Sequence, residues 1–170
     1  IDQYAFQAPK EIENDSEKLI EYLMKKPKND HEKVRAIFAW IANNFKYIYE
    51  EAASTDYTNR DHTLIKLLKE KHTVCGGYSL IFAHLCRMAG LEAVMISGYL
   101  FGGKEKPGYH AWNAVKIDGK WRLIDTTGKK PIYGHIAREV FILQPEYAIN
   151  YYLPTDPLWQ ILKHPISYKN

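Results

Sequence analysis

Apolar residues recur at helical spacing in the first half of the chain and fall into strand-like runs in the second. Val34, Ile37, Phe38, Ile41 and Phe45 repeat at intervals of three and four, which predicts an amphipathic helix packed on a core, with Trp40 off that stripe. Asn29 stands ahead of it with Glu32 three positions on, a capping-box start. An earlier helix is expected from a cap at Asn14 or Asp15 to about Lys26, stopped by Pro27. Residues 50 to 61 are polar and read as a loop. Asp61 is placed to cap a short helix through Leu64, Ile65, Leu67 and Leu68. A longer helix runs from about Cys75 to Ala89, with Gly90 as the residue that ends it.

After Gly90 the pattern changes. Leu91 to Phe101 reads as a buried strand, and Gly102 to Gly108 as a loop. His110 to Ile117 and Trp121 to Thr126 flank Asp118-Gly119, a strong signal for a two-residue hairpin turn. Glu139 to Leu143 predicts one more short strand. Pro145, Pro154, Pro157 and Pro165 then predict turns and short helical pieces. Helices first and an antiparallel sheet afterwards define an α+β protein. The chain reads as one domain over residues 1–170, with an N-terminal arm at 1–13 and a C-terminal wrapping segment at 144–170.

Composition narrows the chemistry. A net charge of +3, with lysines scattered in short pairs such as Lys25-Lys26 and Lys129-Lys130, leaves no basic stripe for nucleic acid. No apolar run reaches the roughly 20 residues that span a bilayer. The chain begins at Ile1 rather than Met, so an upstream segment is expected to have been removed, either by processing, as with the export signal of an extracytoplasmic protein, or by choice of chain ends. The two cysteines, Cys75 and Cys86, are expected on one helix about 16 Å apart along its axis. That exceeds the roughly 7 Å reach of a disulfide, so both are expected as free thiols. His31, His62, His72, His84, His135 and His164 show no metal-binding spacing, so neither metal nor cofactor is expected.

Cys75 is the cysteine with a chemical setting. It stands where a helix begins, and unpaired N–H groups there favour a thiolate. Gly76 and Gly77 would let a substrate approach the backbone. A buried cysteine at a glycine-containing helix start is the alternative. The hairpin supplies an independent test. A two-residue turn sets Trp112 opposite Asp125 and His110 opposite Thr127, which makes His110 and Asp125 diagonal neighbours on one sheet face. An odd-length loop would separate them. Cys, His and Asp in this order, 35 and 15 residues apart, are the parts of a thiolate nucleophile with its base and orienting carboxylate. Tyr78, Tyr109 and Trp112 flank these motifs as candidate walls of a substrate groove, with packing as the alternative for each.

Cys75-Gly76-Gly77-Tyr78, His110-Ala111-Trp112-Asn113 and Trp121 through Thr127 resemble the three blocks of the transglutaminase-like superfamily, within the papain-like cysteine fold. Arg35 to Ile41, Pro145-Glu146 and Asp156 to Gln160 further resemble its kyphoscoliosis-peptidase type and the bacterial relatives of that type. The resemblance implies N-terminal helices, a nucleophile helix on an antiparallel sheet, and a Cys75–His110–Asp125 triad. It also implies a thioester formed on a peptide or protein amide, with the Cys75 N–H holding the oxyanion. The side-chain oxyanion donor that some relatives place before the cysteine has no counterpart here: Lys69, Lys71 and His72 stand there. An interaction module on the same scaffold, with little or no turnover, is the rival expectation.

Overall fold

The computed structural model describes residues 1–49, 63–101, 107–127 and 141–168. The loop expected at 50–61 and the Asp61 cap lie outside them, as does the first part of the strand expected at 139–143.

The N-terminal arm carries a short helix, α1 (Asp2–Phe6). Its Asp2 carboxylate takes two hydrogen bonds from Arg35, at 2.7 and 2.6 Å, and Tyr4 stacks on Tyr22 at 4.6 Å. Helix α2 (Ser16–Leu23) is capped as expected by Asp15, whose carboxylate accepts from the Glu17 and Lys18 N–H groups. It ends at Leu23, before the expected Lys26. Helix α3 (Asp30–Asn44) starts at Asn29, whose side chain accepts the Glu32 N–H at 2.9 Å. The Glu32 carboxylate reaches back to the Lys28 N–H, one residue earlier than an ideal capping box. Its apolar stripe is buried as expected. Trp40, off that stripe, is buried too, edge-on to Phe45 at 5.8 Å. The central part of α3 is covered on several sides, so a single stripe understates its burial.

A two-stranded parallel pair follows, which the apolar pattern did not predict. Strand β1 (Lys46–Tyr47) lies beside β2 (His72–Thr73), with helix α4 (Leu64–Glu70) leading into β2. Helix α5 (Cys75–Met88) begins directly after β2, with no side-chain cap of its own. It closes on Gly90, at φ +80°, with the Leu91 N–H on the Cys86 carbonyl and the Gly90 N–H on the Arg87 carbonyl. That is a Schellman ending, and it requires the left-handed conformation that glycine takes at little cost.

Strands β3 (Ala93–Leu100), β4 (Gly108–Ile117), β5 (Lys120–Ile124) and β6 (Tyr152–Pro154) form an antiparallel sheet in the order β5-β4-β3-β6. Asp118 and Gly119 both have positive φ, as a type I′ turn demands. The register is the one the two-residue loop dictates, from Ile117 opposite Lys120 to Asn113 opposite Ile124. Before the sheet's last strand, helix α6 (Pro145–Ala148) follows a single bridge between Leu143 and Leu123, where a strand was expected. A 3₁₀ turn (Pro157–Gln160) follows β6.

The sheet separates two apolar clusters. On one face Ala93, Val115, Ile117 and Ile124 meet α3 and α5. On the other, Ile96, Trp112, Ala114 and Leu123 meet Leu143, Ala148 and Tyr152 of the C-terminal segment. The α+β architecture, with the cysteine-bearing helix on an antiparallel sheet, is therefore the observed one.

Candidate active site

The hairpin's hydrogen-bonding phase sets the site. Ile117 and Lys120 close the two-residue turn, so odd-numbered β4 residues direct their N–H groups toward β5. The ladder with β5 stops at Ile124. Ala111, one step beyond, thus has an N–H facing the vacated side of β4. Cys75 comes up to that side, where the His110 imidazole and the Ala111 and Gly76 N–H groups all act on its sulfur. The Asn113 amide ties this geometry together, donating to the Ser79 carbonyl of α5 at 2.9 Å and to the Val94 carbonyl of β3 at 3.1 Å. The helix that carries Cys75 is so pinned to the strand that carries His110.

His110 is buried, at 6% exposure, and its Nε2 lies 3.0 Å from Asp125 Oδ2. With Nε2 engaged by the carboxylate, Nδ1 is the nitrogen left to face the thiol. Asp125 Oδ1 accepts the Thr127 N–H at 2.8 Å, and Oδ2 also accepts the Tyr152 hydroxyl at 2.8 Å. Imidazole and carboxylate are hydrogen-bonded and the thiol lies within reach of the imidazole's charge, the three coming from a helix head, a strand and a strand end. Cys75 is partly exposed, whereas Cys86 is buried, and both are free thiols.

Electrostatics favour the ionic form of the pair. Burial pushes the Cys75 thiol up, but the His110 hydrogen bond and charge, with the Ala111 and Gly76 N–H groups, outweigh it and leave the thiol below its ordinary value. Burial opposes a charged His110, yet bonds to Asp125 and Cys75 raise it to about 9. For Asp125, burial is again overcome, first by His110 and then by the Thr127 and Tyr152 bonds, so its value is lowered. Cys86 has no such support, and burial pushes its thiol up.

The other expected site residues divide. Gly76 has open space where a side chain would be, consistent with close approach to the Cys75 backbone. Gly77 does not: a Cβ there would strike the Thr73 side chain, so this glycine serves the contact between α5 and β2. Tyr78 and Trp112, candidate groove walls, are each 1% exposed and present no face to a substrate. Tyr78 packs against Phe45 and Tyr47, and Trp112 packs between His110 and Tyr152. Tyr109 is 59% exposed and meets Tyr99 edge-on at 5.7 Å. By strand alternation these two continue the α5-facing side of the sheet past the helix head, beside Cys75.

Two residues at the site were not singled out from sequence. Tyr47, brought in by β1, sets its hydroxyl near the head of α5; burial, then the nearby Cys75 and Asp125 charges, raise it to about 12. Tyr152 arrives from β6. Neither carries a motif. The signal for Tyr47 is its parallel pairing with Thr73, two residues before the cysteine. Among the described residues no group of three or more His, Cys, Asp or Glu could hold a metal ion, and no helix is long and apolar enough to cross a membrane.

The sequence model of the transglutaminase-like superfamily matches residues 17–126. Kyphoscoliosis peptidase from Homo sapiens is 29% identical over 182 residues, covering 98% of this chain and 27% of that protein. The chain thus spans about a quarter of that relative's length. A candidate cysteine protease from Cytophaga hutchinsonii is 26% identical, with a TM-score of 0.52, covering 81% of this chain and 45% of that one. A solved structure of a TGase is also 26% identical, with a TM-score of 0.55, covering 78% and 37%.

Proposed function

The chain belongs to the transglutaminase-like superfamily, and we propose that it is a thiol-dependent amide hydrolase or acyl transferase acting on a peptide or protein amide through Cys75, His110 and Asp125. The observation that carries this reading is the shared imidazole: Asp125 on Nε2 at 3.0 Å and the Cys75 thiol on the remaining side. A neutral thiol is a weak nucleophile, and this arrangement shifts the balance toward the thiolate.

In the first half-reaction the Cys75 sulfur bonds to the amide carbonyl carbon, and the carbonyl oxygen becomes an oxyanion. The Cys75 N–H is aimed where that charge develops. The Tyr47 hydroxyl lies near this N–H and can turn its proton to the same oxygen. His110 gives its proton to the leaving nitrogen, the C–N bond breaks, and a thioester remains. Asp125 keeps the imidazole oriented throughout. Water or an amine then attacks the thioester, His110 takes the incoming proton, and the C–S bond breaks to restore the thiolate. Hydrolysis is the favoured second half, because nothing in the sequence marks an amine-donor site.

The Tyr47 hydroxyl near the Cys75 N–H favours one rival: an interaction module with little or no turnover. The two separate in a panel of peptide amides offered with water alone or with a primary amine, products being read by mass. Hydrolysed or amine-exchanged product, with a trapped acyl adduct on Cys75 and none in Cys75→Ser, is expected. Binding of peptides with no adduct and no product would establish the module instead.

A further inference from the structure

Three donors from three parts of the chain converge on the Asp125 carboxylate. Thr127 N–H takes Oδ1, while His110 Nε2 and the Tyr152 hydroxyl share Oδ2, at 3.0 and 2.8 Å. Tyr152 opens β6, opposite Leu100 of β3, and lies beyond residues 17–126, the span matched by the family model. It is 9% exposed, its ring edge-on to Trp112 at 5.2 Å and 6.0 Å from the His110 ring. Gly98 makes this closeness possible, since a Cβ there would strike both the Leu153 carbonyl and the Trp112 ring. A phenylalanine would fill the same apolar space, so the hydroxyl's particular contribution is to Asp125.

We propose that Tyr152 is a positioning residue of the site: its hydroxyl aims Asp125 Oδ2 at His110 and draws off part of that oxygen's proton affinity, so that the C-terminal strand sets how tightly His110 holds its proton. The proposal rests on the triad reading above. An oxygen with two donors is a weaker partner for imidazolium than an oxygen with one. His110 already holds its proton to about pH 9. Without Tyr152 it would hold the proton longer and give it up less readily to a leaving amine, whereas a general acid works best with a value near the working pH. Tyr152 remains a donor throughout, because burial and the neighbouring carboxylate push its own ionisation above that of an ordinary tyrosine. Among the described residues, the titratable groups facing the His110–Asp125 pair are Cys75 of α5, Tyr47 of β1 and Tyr152 of β6, with Tyr147 of α6 behind Tyr152.

The test is Tyr152→Phe in the full chain, which removes one oxygen. Alkylation of Cys75 by iodoacetamide across pH has two inflections: a lower one where the thiolate forms and an upper one where the imidazolium loses its proton. The upper inflection is expected to rise by about half a pH unit or more, with amide turnover at neutral pH down by roughly threefold. General loosening of the site would weaken the ion pair and move that inflection down. An unmoved or lowered upper inflection overturns the proposal and leaves the triad intact. Failure of the triad reading shows separately, in the parent protein, as one inflection at the ordinary thiol value that His110→Ala does not change; the proposal then falls with it. Should the variant not fold, the parent answers by proton NMR. A slowly exchanging Tyr152 hydroxyl resonance that shifts with the His110 titration is expected, and its absence overturns the proposal.

Discussion

The two faces of the β-sheet are closed by different kinds of chain. One is covered by α3 and α5, long helices with periodic apolar positions. The other is covered by the segment from Leu143 to Ile161, which mixes a four-residue helix, a three-residue strand and a 3₁₀ turn. The helical face delivers the sulfur of Cys75 and the N–H groups around it. The irregular face delivers Tyr152 and the wall behind His110. The proposed nucleophile and its proposed proton-handling partners therefore have separate structural supports, joined at β4 through Asn113 and His110.

The largest effects test the junction itself. Cys75→Ser and His110→Ala should each lower amide turnover on the order of 10⁶-fold with the fold retained, by comparison with other nucleophile–base pairs. Turnover that survives either change would separate the chemistry from this junction. A pair of tryptophans then separates the two faces. Trp40→Ala and Trp112→Ala should each cost about 3–5 kcal/mol in urea unfolding, since both side chains are fully buried. Only Trp112→Ala should slow alkylation of Cys75 per folded molecule, because Trp112 alone lies against the His110 ring. Equal slowing in both variants would erase the distinction between the faces.

Asn113→Ala strips the Ser79 and Val94 carbonyls of a buried partner and should cost about 1–3 kcal/mol. It should also reduce Cys75 reactivity, as the helix head drifts from β4; reactivity unchanged at equal folding would free the sulfur from this tether. The smallest effect is in pH-dependent stability. Asp125, lowered from 3.8, contributes stability above that pH and loses it as pH falls through its folded value. His110, raised from 6.5 to about 9, contributes fully below pH 6.5 and loses its contribution as pH rises through 9. Cys75, lowered from 9.0, gains over that same alkaline range and offsets part of the loss. Cys75→Ser should therefore show a steeper alkaline fall in melting temperature than the parent, and parallel slopes would deny the coupling.

The contrast between the faces also explains what the sequence made legible. The caps at Asp15 and Asn29, the α3 stripe, the Gly90 ending and the hairpin register all rest on local rules, and the structure has them. His110 and Asp125 could be placed together because a two-residue turn fixes side-chain faces over short distances; Cys75 was joined to them by its helix-start setting and the family resemblance. Trp40, Trp112, Tyr78 and Gly77 were harder. A large aromatic beside a motif suits a groove wall and a core equally well, and only tertiary packing decides. The β1–β2 pair and β6 have two, two and three residues, too few for any periodicity. Tyr47 and Tyr152 ride on those fragments, so the residues beside the triad that carry no motif were the ones hidden from a linear reading.

The central claim is that Cys75 and His110 form an ion pair held by Asp125. The most direct measurement is the rate of Cys75 alkylation from pH 4 to pH 10 in the parent and in His110→Ala. The account predicts a broad plateau in the parent, beginning well below the ordinary thiol value of about 8.5 and changing again near pH 9, and a single late rise in the variant. Matching single rises near the ordinary thiol value in both proteins would contradict it.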